Sequence, residues 1–260
     1  MIFEVIQSLS ISINGQQSNL KTNFEIDFEI QEKTNSERIY IIKKEKATNV
    51  DDNENSHLII LEQLEWLTYP LKIATNLDGA FLRILDFNKW LMSWEQNAQL
   101  LLDEYDNLEN LKDIRDKYYE IVKDEQIFTA NKFKEPFWNL IFFSPPIDNV
   151  NKPDLGTTLN WNIKSIGILP CVGRTTIQNP ASEEVIIYFE SEQKITNNIV
   201  EIMQSKLQDV KWEEQKINLQ VIANFDTTKR KLKNKKALFK FTIGNAFSYT
   251  EETNLVLKKN

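Results

Sequence analysis

A chain of 260 residues with 41% hydrophobic and 27% charged residues has ordinary globular composition, which excludes a disordered polymer. One cysteine, Cys171, excludes an intramolecular disulfide, and one histidine, His57, leaves too few ligands for a structural or catalytic zinc. A formal charge of −7 repels phosphate, so non-specific binding to nucleic acid or anionic lipid is not expected.

The chain opens Met1-Ile2-Phe3-Glu4-Val5-Ile6, with an acid where a signal peptide wants a basic start. No apolar run approaches the roughly 18 residues of a membrane span. The expected location is cytoplasmic. Abundant Asn, Lys, Ile and Glu fit an AT-rich bacterial or phage gene.

Residues 1–87 read mainly as strands. Phe24, Ile26, Phe28 and Ile30 alternate with Glu25, Asp27 and Glu29, the period of a half-buried strand. A Thr34-Asn35-Ser36 turn leads to a partner strand around Ile39 to Ile42. Asn49 to Ser56 reads as a solvated loop, and His57 to Leu67 fits helix or strand equally. Leu71–Thr75 and Phe81–Phe87 read as a hairpin around Asn76-Leu77-Asp78-Gly79.

Residues 88–123 read as helix, because Trp90, Trp94, Ala98, Leu101, Tyr105, Leu108, Leu111, Ile114, Tyr118 and Ile121 recur at three and four. One unbroken helix of that length would run about 54 Å, overhanging a body of roughly 18 Å radius of gyration. The expectation is a break near Asn107 to Asn110. A further helix is expected from Asp124 towards Phe143, with Pro136 as a break or restart.

Ser144-Pro145-Pro146 to Gly156 has connector composition. Beyond it, Thr157–Ile168, Glu184–Glu190, Lys216–Phe225 and the alternating Phe239, Phe241 and Ile243 read as strands. A two-residue hairpin is expected at Gly244-Asn245, before Phe247 and Tyr249 resume. Ile195 to Val210 reads as a short helix. The predicted class is α+β: curved antiparallel β-sheet regions before and after a central helical segment that packs on the sheet. The expected division is 1–143, a boundary at 144–156 and 157–260, the two strand regions forming either separate domains or one. The architecture resembles bacterial lipoprotein-carrier half-barrels, with no shared motif to carry a function across.

Few residues offer chemistry. His57 and Cys171 stand outside any supporting pattern and read as a surface or strand-edge histidine and a small buried apolar residue. Gly167 to Thr175 has five residues between its glycines and then Arg174, not a phosphate loop's four followed by Lys, and reads as an ordinary turn. Glu62 and Glu65 beside Trp66 read as the solvated face of an edge element. Asp51-Asp52-Asn53-Glu54 lacks the glycine and distal glutamate of a calcium loop. No metal and no cofactor are expected. Lys229 to Lys236 reads as a solvated hairpin tip, and Phe137 to Phe143 as a core element.

The acidic run Asp103, Asp106 and Glu109 at a spacing of three can share one helix face, and these residues are the candidate partner-binding site. The leading expectation is a non-enzymatic cytoplasmic protein that binds another, basic protein: an adaptor, an immunity protein or a secretion-associated chaperone. One alternative is a carrier of an apolar ligand between sheet and helices, which an apolar cavity would favour. Another is a carboxylate-dependent hydrolase, which needs two converging acids.

Overall fold

The computed structural model describes residues 1–45, 56–77, 81–105, 110–133, 136–142, 157–163, 167–179, 182–194, 215–228 and 231–258. They form antiparallel sheet with helices, mostly sheet, in two compact units.

The first unit comprises Met1–Ile2 and Phe24–Phe133. Its strands are the second half of β2 (Gln16–Lys33), β3 (Glu37–Glu45), β4 (Leu71–Asn76) and β5 (Phe81–Ile84), paired antiparallel in that order. Alternation in β2 works as expected: Phe24, Ile26 and Phe28 are buried, and Lys43 reaches across to Glu29 on the wet face at 3.0 Å. Helix α1 (Ser56–Trp66) resolves the ambiguous segment as helix and precedes β4 and β5, so the helices are not one central block. The others in this unit are α2 (Phe87–Glu104), α3 (Leu111–Val122) and α4 (Glu125–Lys132). The expected helix break is present between Glu104 and Leu111, with Asn110 at φ 63. An asparagine tolerates that left-handed geometry because its short amide can bond locally. Asp124 caps α4 by accepting from the backbone N–H groups of Gln126 at 2.8 Å and Ile127 at 2.9 Å. Trp94 stacks on Tyr118 at 5.8 Å, joining α2 to α3.

The second unit comprises Phe3–Asn23 and Lys134–Asn260. Its strands are β1 (Ile2–Ile13), the first half of β2, β6 (Thr157–Ile163), β7 (Gly167–Gln178), β8 (Glu184–Lys194), β9 (Gln215–Asp226), β10 (Lys231–Ile243) and β11 (Phe247–Leu257). The order runs β2-β1-β11-β10-β9-β8-β7-β6. Strands β1 and β2 meet at Asn14-Gly15, both at positive φ as a tight type I′ hairpin needs. Between β10 and β11 the register Ile243↔Phe247 leaves three turn residues, one more than expected, because Ala246 N–H closes onto the Ile243 carbonyl at 3.1 Å. The inner face carries Ile217, Leu219, Val221, Phe239, Phe241, Ile243 and Leu255, all buried. The outer face is polar: Gln220 donates to Glu190 at 2.9 Å and Lys236 pairs with Glu252 at 2.8 Å.

Two expectations about local structure are corrected. Gly167 to Thr175 is not a turn but most of β7. Of Lys229 to Lys236, Lys229 and Arg230 lie outside the described residues, and Lys231 to Lys236 is not a hairpin tip but the start of β10, where outward Lys233 and Lys236 find Glu184 and Glu252 and Lys235 turns inward. Opposite charges on neighbouring strands let a basic run stay in a ladder. The proposed helix at Ile195 to Val210 and the boundary at 144–156 lie outside the described residues.

Strand β7 turns a corner. Its residues 167–173 pair with β6, while 174–178 pair with β8. At the switch stands Gly173, where a Cβ would lie 2.2 Å from the Glu190 carbonyl oxygen, so no other residue fits without moving backbone. The corner folds β6 over the inner face. Trp161 of β6 stacks on Phe239 of β10 at 6.3 Å, although three strands separate them in the sheet. In a flat sheet that separation would be about 19 Å. The inner face of this unit is therefore concave.

Candidate functional site

The concavity is built from three parts. Its floor is the inner row of β9 to β11. Its far wall is β6, brought over by the corner at Gly173. Between them lies α5 (Pro136–Phe142), whose Phe137, Trp138 and Leu140 are buried and which touches β6, β10 and β11. The expected core role of Phe137 to Phe143 thus takes the form of a one-turn-plus helix laid on the floor. Ala237 and Thr253 are the small side chains of the inner row on β10 and β11, and small side chains let a helix approach closely. Lys235 donates to the carbonyls of Leu140 and Ile141, both at 3.1 Å, covering the unsatisfied acceptors of the helix end. Burial lowers the Lys235 ammonium to about 8.

A second buried group lies on β11. Glu251 is 5% exposed and accepts from the Tyr249 hydroxyl at 2.7 Å through Oε2. The Trp161 indole N–H faces the same carboxyl, close enough to lower its proton affinity but short of a full hydrogen bond. Burial outweighs both and raises the Glu251 carboxyl to about 7. Burial, with the neighbouring carboxylate, also raises the Tyr249 hydroxyl far above its ordinary range, which keeps it a donor. Glu251 Oε1, Thr253 Oγ1 and Trp161 Nε1 are buried without a hydrogen-bond partner.

The concave face continues past its cover. By register, Leu9 lies beside Glu251, Ile11 beside Tyr249 and Ile13 beside Phe247. Leu9 and Ile11 are half-buried, Ile13 is 39% exposed, and Leu20 on β2 is 60% exposed. The apolar row is closed over β9 to β11 and bare at the β1–β2 hairpin.

The first unit holds a different buried cluster. Lys132 of α4 bonds Glu65 of α1 and donates to Thr68 Oγ1 at 2.9 Å, over the Tyr69 ring at 4.3 Å. Tyr118 of α3 donates to Glu65 Oε2 at 2.6 Å. Burial would raise the Glu65 carboxyl, but Lys132 and Lys44, with bonds from Lys132 and Tyr118, outweigh it and hold it below the ordinary range. The expectation that Glu65 lies on a solvated edge is corrected: its partners stand 53 and 67 residues away in the chain, and a local reading cannot see them. The cluster ties three helices together. Among the described residues each buried cluster holds one carboxyl, not the pair that glycoside hydrolysis uses.

The other predicted residues fall as follows. Asp103 is exposed in the last turn of α2, accepting from Gln99 at 2.9 Å. Asp106 and Glu109 lie outside the described residues, as do Asp51 to Glu54. His57 falls in the first turn of α1, and its side chain is likewise undescribed. Cys171 is buried, and burial raises its thiol to about 12, so it is no nucleophile at neutral pH. An open depression of about 600 Å³ beside α2 and α3 is lined mostly by polar residues, Gln99, Asn110, Lys112, Asp113 and Arg115, with Leu102 and Leu111. No described helix is long and apolar enough to cross a membrane.

Comparison with known proteins is sparse. No family model matches the chain, and no curated protein matches its sequence. Among solved structures, one described as "lipid-protein interactions in lipovitellin" superposes with a TM-score of 0.50 over 99% of this chain at 9% identity. The match covers 25% of the lipovitellin chain, so this chain spans about a quarter of that length. At that identity the likeness is one of fold.

Proposed function

We propose that the second unit binds an apolar, lipid-like ligand on its concave face. The observation that carries this reading is the row Leu9, Ile11, Ile13 and Leu20, which extends a buried aromatic floor through half-buried Leu9 and Ile11 to exposed Ile13 and Leu20. A strand face that served only as core would end where its cover ends, because exposed Leu and Ile forgo about 1.5–3 kcal/mol each of burial. The lipovitellin structure is described by that protein's lipid–protein interactions, and a similar fold supports asking the same of this one. The test is titration with diphenylhexatriene, an uncharged apolar fluorophore. Saturable emission is expected, lost in Ile11→Asp/Leu20→Asp and kept in Leu100→Asp on α2 of the first unit. Absence of saturable binding by the folded wild-type chain rejects the reading.

A second reading, binding of a basic protein by the acidic helical surface, is favoured by Asp103 and Glu104, both exposed where α2 ends. Its test is charge reversal at Asp103, taken up in the Discussion.

A further inference from the structure

The apolar-ligand reading can be deepened, because the concave face is not uniformly apolar. Glu251 and Thr253 stand two apart on the inner face of β11, about 7 Å between Cα atoms. Trp161 comes to the same spot from β6. All three residues are at least nine-tenths buried, and each keeps one polar atom without a partner: Oε1, Oγ1 and Nε1. Buried polar atoms are nearly always bonded, since leaving one unpaired costs as much as a hydrogen bond is worth. Here a donor on β6 faces an acceptor on β11, and a donor–acceptor stands two residues along the same inner face. The spot adjoins the bare apolar row, for Leu9 is the register partner of Glu251.

Resting on that reading, we propose that the ligand carries a hydroxyl head group, which donates to Glu251 Oε1 and accepts from the Trp161 indole N–H, with Thr253 as the third partner. The remaining part of the ligand lies along Leu9, Ile11 and Leu20. A hydroxyl fits best because it offers a donor and an acceptor on one atom without charge. A carboxylate head would face the Glu251 carboxyl, and an ammonium would lose its hydration in an apolar surround. Because Tyr249 holds Oε2, Oε1 accepts only once the carboxyl is ionised, so the preference for a hydroxyl donor belongs to pH above about 7, where the titration is run.

The test compares 1-decanol with its methyl ether by titration calorimetry on the full chain. The ether keeps the chain and the acceptor but cannot donate. The alcohol is expected to bind about tenfold more tightly, the scale of one buried hydrogen bond. Glu251→Leu should bring the alcohol down to the ether, and so should Glu251→Gln, whose single amide oxygen takes the Tyr249 hydroxyl and leaves an NH2 donor at the Oε1 position. Equal binding of alcohol and ether by the wild type overturns the inference and leaves the apolar-ligand reading intact; these polar atoms would then serve internal water only. Binding of neither compound removes both. Should Glu251→Leu fail to fold, the wild-type comparison alone decides.

Discussion

In the first unit, Lys132 reaches Glu65, Thr68 and the Tyr69 ring, and Glu65 also takes the Tyr118 hydroxyl. In the second, Glu251 takes one hydroxyl and leaves Oε1 unpaired beside the unpaired Thr253 and Trp161. Glu251 is buried and Glu65 half-buried against buried Lys132, yet their proton affinities move in opposite directions. Desolvation acts on both; only Glu65 has a cation to offset it. A buried polar group with all partners present is accounted for by the fold. One without them is open to water or to the proposed ligand.

The largest test of this contrast is Lys132→Met. It strands the Glu65 carboxylate, and removing one partner of a buried pair costs about 3–5 kcal/mol. Denaturant unfolding should show that loss, and Glu65→Leu/Lys132→Met should recover most of it. The sign with pH follows. The folded-state value of Glu65 is depressed, so its contribution is present above the unfolded-state value and is lost as pH falls through the folded one. A cost below about 1 kcal/mol would show a solvated pair.

Next comes Gly173→Ala, which touches only the second unit. Its Cβ would meet backbone of β8, so the strand must shift, at about 2–3 kcal/mol. Because the corner delivers Trp161, the near-ultraviolet circular dichroism should change with the stability. An unchanged spectrum would mean that β6 is placed by something other than the corner.

Much of this architecture was legible in the chain, and the failures have physical reasons. Alternation identified β2, β8, β9 and the β10–β11 hairpin, because one face of each is wet. Helix α2 ends at Glu104 and α3 starts after Asn110, on either side of the segment where the asparagines suggested a break. The ambiguous segment at His57 was a helix with an apolar run and no clear period, a pattern that length alone could not settle. Asn14-Gly15, a strong hairpin signal, went unread within a broad strand assignment. Glu65 was misread because Lys132 and Tyr118 are distant in sequence. Glu251 was missed although its signal was present: it occupies the inward parity of Phe247, Tyr249, Thr253 and Leu255, so an acid stood where the period demanded an apolar residue. What sequence could not supply was the fold-over at Gly173 that brings Trp161 to it.

A smaller effect sharpens the contrast through pH. Glu251 holds its proton up to about 7 in the folded chain, against an ordinary 4.5. Between those values the native state binds more protons than the unfolded one, so stability falls as pH rises from 4.5 to 7. Glu251→Gln removes that slope. The variant should match the wild type near pH 4 and exceed it by on the order of 1–3 kcal/mol at pH 8. Lys235, lowered from 10.5 to about 8, acts in a separate window, adding stability as pH rises between those values in both chains. Equal unfolding curves at pH 8 would place the Glu251 carboxyl in contact with solvent.

The smallest effect belongs to Asp103, the one described member of the acidic run. It sits with Glu104 in the last turn of α2, where no basic residue stands. The helix dipole places partial negative charge at that end, so both carboxylates oppose it. Among the described residues the Gln99 amide, at 2.9 Å, steadies Asp103. Asp103→Lys should therefore raise stability by about 0.3–1 kcal/mol, and the gain should shrink as salt screens the dipole. This sign matters for the protein-binding reading. An acid that works against its own helix is easier to explain when something else uses its charge. If a basic partner does, the same substitution that stabilises the free chain will weaken the complex and flatten its salt dependence. A stabilised variant that keeps its partner affinity at low and high salt would leave Asp103 a solvated residue.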